Sequence, residues 1–368
     1  MFAERLDRVR RRMAELGVDV LVVSVGADLP WLCGYEAMPL ERLTALVVPR
    51  DDAATLVVPA LEAPRVVERP DVFRLRPWGE TEDPVAIVAE LVPEPAVAGI
   101  GDQMWSRFLI ALMQRWTRTR FRRAGEVTAP LRAVKDPDEI AALRAAAAAV
   151  DRIAERLRTG EIPLVGRSEA EVSAELGRQI LAEGHHRVNF AIVAAGANAA
   201  SPHHEPGERI IGKGEVVLCD FGGTMAGPGG VGYCSDITRC VWLGEPPSAF
   251  VELYEVLQAA QAEGVKAARA GVPAAEVDRV TRARIDEAGY GAFFVHRTGH
   301  GIGVEAHEDP YIVEGNEELL VAGHAFSIEP GIYVPGRWGA RLEDIVVAGP
   351  DGPDPLNRVG HELAVLDV

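Results

Sequence analysis

Four carboxylates and one imidazole carry the chemistry in the second half of this 368-residue chain. Asp220 lies in VVLCDFGG, Asp236 in GYCSDITR, His300 in TGHGIG, Glu329 in FSIEPGIY and Glu343 in ARLEDIV. Acidic groups gathered in a low-dielectric interior repel one another unless a positive charge compensates them. A pair of divalent cations would do so. An oxygen-rich set with a single nitrogen suits Mn2+, Co2+ or Zn2+ better than a thiolate-seeking metal. Taken singly, each residue reads as a polar group at a strand end; the five phrases together point to metal chemistry.

The segments that must position them are β-branched and apolar: NFAIVAAG (189–196), GEVVLCDFGG (214–223), YCSDITRCVWL (233–243), AFSIEPGIYV (325–334) and RLEDIVVAG (341–349). They read as strands of one antiparallel sheet, on which alternate side chains share a face and can converge. Helices are expected from Asp136-Pro137, where proline sits in the first turn, and over 168–184 and 274–290, each ending near a glycine. Upstream, the pattern alternates helix and strand. An opening helix carries Phe2, Leu6, Val9, Met13 and Leu16 on one face. Strand-like runs cover 18–24, 44–50, 54–60 and 96–101, with helical stretches at 83–91 and 105–116. This first part has the pattern of a three-layer α/β scaffold. It contains no histidine and no glycine-rich phosphate loop.

Composition narrows the function. The net charge is −17. Residues 1–130 hold 17 basic against 19 acidic side chains, so most of the acidity falls in the remainder, with all nine histidines. An acidic chain is poorly matched to nucleic acid, whose affinity rests on neutralising phosphates. The one basic cluster, RWTRTRFRR (115–123), reads as a solvated strand edge. Four cysteines without a CxxC pair exclude a disulfide framework, and Cys219 and Cys234 read as small buried residues beside the ligand phrases. The N-terminus lacks an apolar signal core, and no apolar run reaches the length of a membrane span. A cytoplasmic protein with neither nucleic-acid nor membrane partners is expected.

With its phrases assembled, the chain resembles the Xaa-Pro dipeptidase (prolidase) and aminopeptidase P branch of the pita-bread metallopeptidases. HRTGHGIGVEAHEDP and SPHHEPGERIIGKGE strengthen the likeness. The resemblance implies an α/β creatinase-like N-terminal domain over 1–128 and an α+β pita-bread catalytic domain over 129–368. It implies two divalent metal ions per chain, Mn2+ or Co2+ before Zn2+. Asp220 would chelate one metal, Asp236 and Glu343 would bridge both, and His300 and Glu329 would complete the second position. Glu329 would also act as general base. By the same likeness, His203 would contact the substrate, His307 would donate to the developing oxyanion, and His296 would line the proline-side pocket. Arg341 would steady the metal ligands or the substrate carboxylate. His185, His186, His204, His324 and His361 are left as structural groups. The implied reaction is hydrolysis of an Xaa-Pro bond in a dipeptide, by a homodimer. Aminopeptidase P action on longer peptides is the alternative, and a metal-free hydrolase or binding module the distant one. The two aspartates stand sixteen apart rather than the eleven usual in such enzymes. The extra residues of TMAGPGGVGY are expected to shape the mouth of the site rather than merely lengthen a turn.

Overall fold

A helix over Phe2–Leu16 buries Phe2, Leu6, Val9 and Met13, the residues whose spacing marks a single helical face. It ends at Gly17, in the left-handed region with φ of 65°. This helix belongs to the first of two units in the computed structural model, which covers residues 1–368. That unit comprises Met1–Arg132 with Gly229–Val231, and the second comprises Ala133–Pro228 with Gly232–Val368. No helix is long and apolar enough to cross a membrane.

The first unit is built on a six-stranded sheet in the order Phe73–Trp78, Ala54–Pro59, Ala45–Pro49, Val20–Val23, Val97–Ile100, Arg120–Arg123. Its central strand, Val20–Val23, is buried along its whole length. The basic cluster forms the edge strand Arg120–Arg123, where charged side chains discourage further strand pairing. The strand Phe73–Trp78 adds an element beyond those the sequence pattern marks.

In the second unit, the helices Pro137–Arg158 and Glu169–Ala182 both begin on capping boxes. Asp136 accepts from the backbone of Glu139 while the Glu139 side chain reaches back, and Ser168 and Glu171 repeat the arrangement. A third helix, Ala274–Glu287, packs on a fourth over Ser248–Ala267, which the sequence reading does not include. The two meet closely at Gly264, where a Cβ would lie 2.3 Å from the Thr281 hydroxyl.

The sheet arrangement corrects the expectation of a single antiparallel sheet. The ligand phrases fall on two five-stranded sheets and a separate hairpin, Gly331–Val334 with Trp338–Arg341. One sheet includes a parallel pair, Ile237–Leu243 with Ala364–Leu366. Three of the expected strands are also interrupted, and each interruption falls at a candidate ligand. Ser235 and Asp236 separate Gly232–Cys234 from Ile237–Leu243, Glu329 and Pro330 separate Ala325–Ile328 from Gly331–Val334, and Leu342 and Glu343 separate Trp338–Arg341 from Asp344–Ala348. The proline explains one break: it has no N–H for the ladder and a fixed φ.

Candidate metal centre

Asp220 sits in the strand Val216–Ala226, opposite Thr238 on one side and Ile192 on the other. Asp236 is two residues before Thr238, so strand alternation turns Asp236, Thr238 and Asp220 to the same face. Register is unchanged across Asp236: Phe221 pairs with Ile237 and Thr224 with Cys234. His300 enters from the short strand Gly299–Gly301, held between Ala325–Ile328 and Glu308–Ile312. Its flanking glycines have a steric cause. A Cβ at position 299 would lie 1.8 Å from the Ser327 carbonyl oxygen, and one at 301 would lie 2.2 Å from that of Asp309. TGHGIG is thus the phrase of a histidine on a strand with no room for neighbours' side chains.

One ligating atom each from Asp236, His300 and Glu343 lies within 4.8 Å of the others. His300 Nε2 stands 3.1 Å from Glu329 Oε1 and 3.9 Å from Asp236 Oδ2. Its Nδ1 lies 3.1 Å from the Gly301 carbonyl, a contact that assigns the proton to Nδ1 and turns the Nε2 lone pair toward the carboxylates. The Ser327 hydroxyl accepts from the His300 backbone and donates to Glu329, at 3.0 Å in each case. Thr238 donates to Glu343 Oε2 at 2.6 Å.

Arg341 is committed on almost every donor. It reaches Asp220 Oδ2 at 2.5 Å, the Tyr333 hydroxyl at 2.7 Å, and Thr238 Oγ1 and the Pro202 carbonyl at 3.2 Å each. His296 is also occupied, with Nε2 2.9 Å from the Tyr333 hydroxyl and Nδ1 2.7 Å from the Arg297 carbonyl. The His307 ring lies against that of His300, tilted by 42°, with ring centroids 3.9 Å apart. His203 follows Pro202 on a loop that Glu169 holds. This buried carboxylate accepts from the Ala195 backbone, Asn198 and His204.

All nine sequence-derived site residues line one cavity of about 250 Å3, together with Phe190, Ile192, Pro202 and Arg297. A larger cleft of about 460 Å3 lies by Trp242 and Trp338. Its Glu215 is paired to Arg209, and it gathers no comparable set of ligands. Thr238, Ser327, Tyr333 and Arg297 are the members that sequence reasoning does not mark. Thr238 and Ser327 each carry a local signal, a two-residue offset from Asp236 and from Glu329. No residue of the expected mouth-shaping insert lines the cavity. The strands instead stay paired out to Ala226 and Gly232, and residues 227–231 form the turn.

The charge of this cavity is unbalanced by the protein itself. Burial raises the Asp236 and Glu343 carboxyls well above their usual range, and neighbouring carboxylates add to it. Asp220 is also raised, first by burial, against the opposing pull of Arg341. Burial would raise Glu329 as well, but His300 in its protonated form, donating through Nε2 and carrying charge, holds it down at about 2. The buried oxygens Asp220 Oδ1 and Asp236 Oδ1 have no hydrogen-bond partner. Orphaned anionic oxygens beside an imidazole lone pair fit hard or borderline divalent cations. The cysteines do not compete: Cys219 lies in an apolar core and burial pushes the Cys234 thiol up to about 11. His185, His204 and His361 are engaged with Ser235, Glu169 and Asp344.

The pattern of metallopeptidase family M24 matches residues 140–350, and that of the creatinase/prolidase N-terminal domain matches residues 5–134. The chain belongs to metallopeptidase family M24. It is 42% identical over 372 residues to a probable dipeptidase, PepE, of Mycobacterium tuberculosis, covering 100% of this chain and 97% of that one. It is 35% identical to the Xaa-Pro dipeptidase of Lactobacillus delbrueckii subsp. lactis, with 99% of both chains covered. Among solved structures, dipeptidase PepE from Mycobacterium ulcerans superposes with a TM-score of 0.93 at 42% identity, covering 100% of this chain and 98% of that one. The M24 fold is therefore established here: a creatinase-type N-terminal domain and a pita-bread catalytic domain. Membership makes the chain a metallopeptidase that uses divalent metal.

Proposed function

We propose that this M24 enzyme is a dinuclear peptidase that hydrolyses the Xaa-Pro bond of dipeptides. One observation carries the reading: four carboxylates and His300 converge on a cavity of about 250 Å3, with two buried anionic oxygens left unpartnered. That volume falls below the ~300–1,000 Å3 of pockets for drug-sized ligands, a scale suited to a dipeptide. The Xaa-Pro dipeptidase relative supports the choice of bond.

Asp220, Asp236, His300, Glu329 and Glu343 would hold two ions, Mn2+ or Co2+ before Zn2+. Such ions supply Lewis-acid polarisation of the scissile carbonyl and charge compensation. The remaining work falls to side chains. Glu329, ionised at working pH, accepts the proton of the attacking water. His307, which burial lowers to about 4, stays neutral and offers an N–H to the oxyanion. His203 contacts the substrate from its anchored loop. His296, held by the Tyr333 hydroxyl, forms a wall against the proline ring, and Arg341 keeps Asp220 oriented.

The test is metal content and peptide hydrolysis side by side. Protein loaded with Mn2+ should bind two ions per chain and cleave Ala-Pro in preference to Ala-Pro-Ala. Asp236→Asn should lose metal and nearly all activity, because an amide cannot offer two anionic oxygens to two cations. An active Asp236→Asn variant that keeps both ions would remove Asp236 from the site.

A further inference from the structure

His185 is a buried imidazole that the proposed reaction does not use. Along the strand Val216–Ala226, Asp220 and Gly222 turn to the cavity, while Phe221 and Gly223 turn to the apolar core behind it. The unbroken register sets Gly222 opposite Asp236 and Gly223 opposite Ser235. The partner strand is interrupted at these two residues, yet Ser235 is held on the core side. Its Oγ accepts from the Gly223 backbone at 3.1 Å, and His185 Nε2 lies 2.9 Å from the same oxygen. The hydroxyl also lies 3.4 Å from the Gly223 carbonyl, so its two lone pairs and one proton are all used when Nε2 carries a proton. The paired glycines of VVLCDFGG follow from this packing. A Cβ at 223 would lie 2.9 Å from His185 Cδ2, and one at 222 would lie 2.1 Å from the Ser235 carbonyl oxygen.

We propose that His185 is a positioning residue for Asp236, acting through Ser235 from the far side of the sheet to fix the strand break at which Asp236 meets the metals. This deepens the reading of the site as a dinuclear centre and rests on it. Arg341 orients Asp220 and Thr238 orients Glu343, but Asp236 Oδ1 has no partner in the protein. The aim of Asp236 therefore rests on its backbone. That backbone lies where the strand gives up regular pairing, and a carboxylate shared between two ions must present both oxygens at a fixed separation. The Ser235 hydroxyl replaces ladder bonding at the break, and the imidazole fills the space behind the two glycines. Without His185, the Ser235–Asp236 peptide is free to recede toward the core and carry the carboxylate with it.

The experiment reads metal binding apart from stability in the full-length protein. His185→Phe keeps a ring against the glycines and removes the bond to Ser235; Ser235→Ala removes the same bond with the imidazole in place. Each should weaken Mn2+ binding about tenfold by chelator competition, the lower end of the cost of losing an outer partner of a metal ligand. The double variant should be no weaker than Ser235→Ala alone, since the two changes cut one link. His185→Gln, whose amide can donate to Ser235, should recover most of the loss. Both single variants should keep the wild-type urea midpoint when metal-free. Unchanged Mn2+ affinity in Ser235→Ala would overturn the proposal, as would additive losses in the double variant or a Gln variant as weak as Phe. A metal-free midpoint that falls in step with affinity in both single variants would assign His185 to the fold and overturn it too. Saturated wild type should give the electron paramagnetic resonance signal of a coupled Mn2+ pair. A signal from isolated ions alone would remove the dinuclear reading, and the affinity comparison for the single ion would still decide the role of His185.

Discussion

The Thr238 hydroxyl donates to Glu343 Oε2 at 2.6 Å, joining two strands that also meet through an isolated bridge between the same residues. Thr238 also accepts from Arg341, so one hydroxyl holds a carboxylate and a guanidinium in place. Thr238→Val keeps the branched shape and removes both bonds. Residues that orient a metal ligand typically contribute 10–100-fold in affinity. The expected outcome is a loss of that size in Mn2+ affinity, read by chelator competition, with the circular-dichroism spectrum unchanged.

His307→Ala should leave metal content intact and lower kcat by about 10²–10³, the usual cost of losing a donor aimed at an oxyanion. A rise in KM at constant kcat would reassign His307 to substrate binding. Because its imidazole is held at about 4, its protonation should not shape the activity profile above about pH 5.

The five ligand phrases were legible because each binds a particular residue type to a particular backbone. Glycine at 299 and 301 is demanded by contacts under 2.5 Å, and proline at 330 follows a strand end. The supports were not. Tyr333 acts through Arg341 and His296, and Ser327, although it stands two residues from Glu329 in the same phrase, also meets the His300 backbone, which only folding brings near. Continuous β-branched runs also concealed the breaks at Asp236 and Glu343, since composition does not show where a ladder stops. The helix Ser248–Ala267 is a different case. Phe250, Leu253, Tyr254, Leu257 and Ala260 are buried at helical spacing, so its signal was present in the sequence.

Removing residues 227–231 would restore the eleven-residue spacing of Asp220 and Asp236. These residues close a hairpin whose register already runs unbroken past both aspartates, and none lines the cavity. Loop length costs only about 0.6 kcal/mol per doubling, so closure entropy does not decide the outcome. A folded, metal-loaded deletion variant should keep the wild-type ratio of dipeptide to tripeptide cleavage. A shifted kcat/KM ratio would show that the turn contributes to the pocket after all.

His324 is buried away from the metal centre, and burial followed by the charge of Lys135 lowers its pKa to about 4. The unfolded chain takes up this proton near pH 6.5 and the folded one does not until about 4. Its contribution to stability is therefore present above about pH 6.5 and is lost as pH falls toward 4. His324→Gln, which keeps an acceptor for the Val321 backbone without titrating, should flatten the decline in urea midpoint across that window. An identical slope in the variant would assign the decline to other groups.

The placement of the ligands at strand interruptions bears on how the protein comes apart. Asp220 and Asp236 belong to one sheet, while His300 and Glu329 adjoin another, and Glu343 enters where the hairpin hands over to that second sheet. No short stretch of chain therefore retains a chelating set once the sheets separate, and local fraying at one end cannot preserve it. Cations held by all five residues bind the native state and have little hold on an unfolded chain, so mass action couples their free concentration to global unfolding. With the proposed ligand set, metal supply would then set the stability of the catalytic domain as well as its turnover, and a chelator would lower its unfolding midpoint.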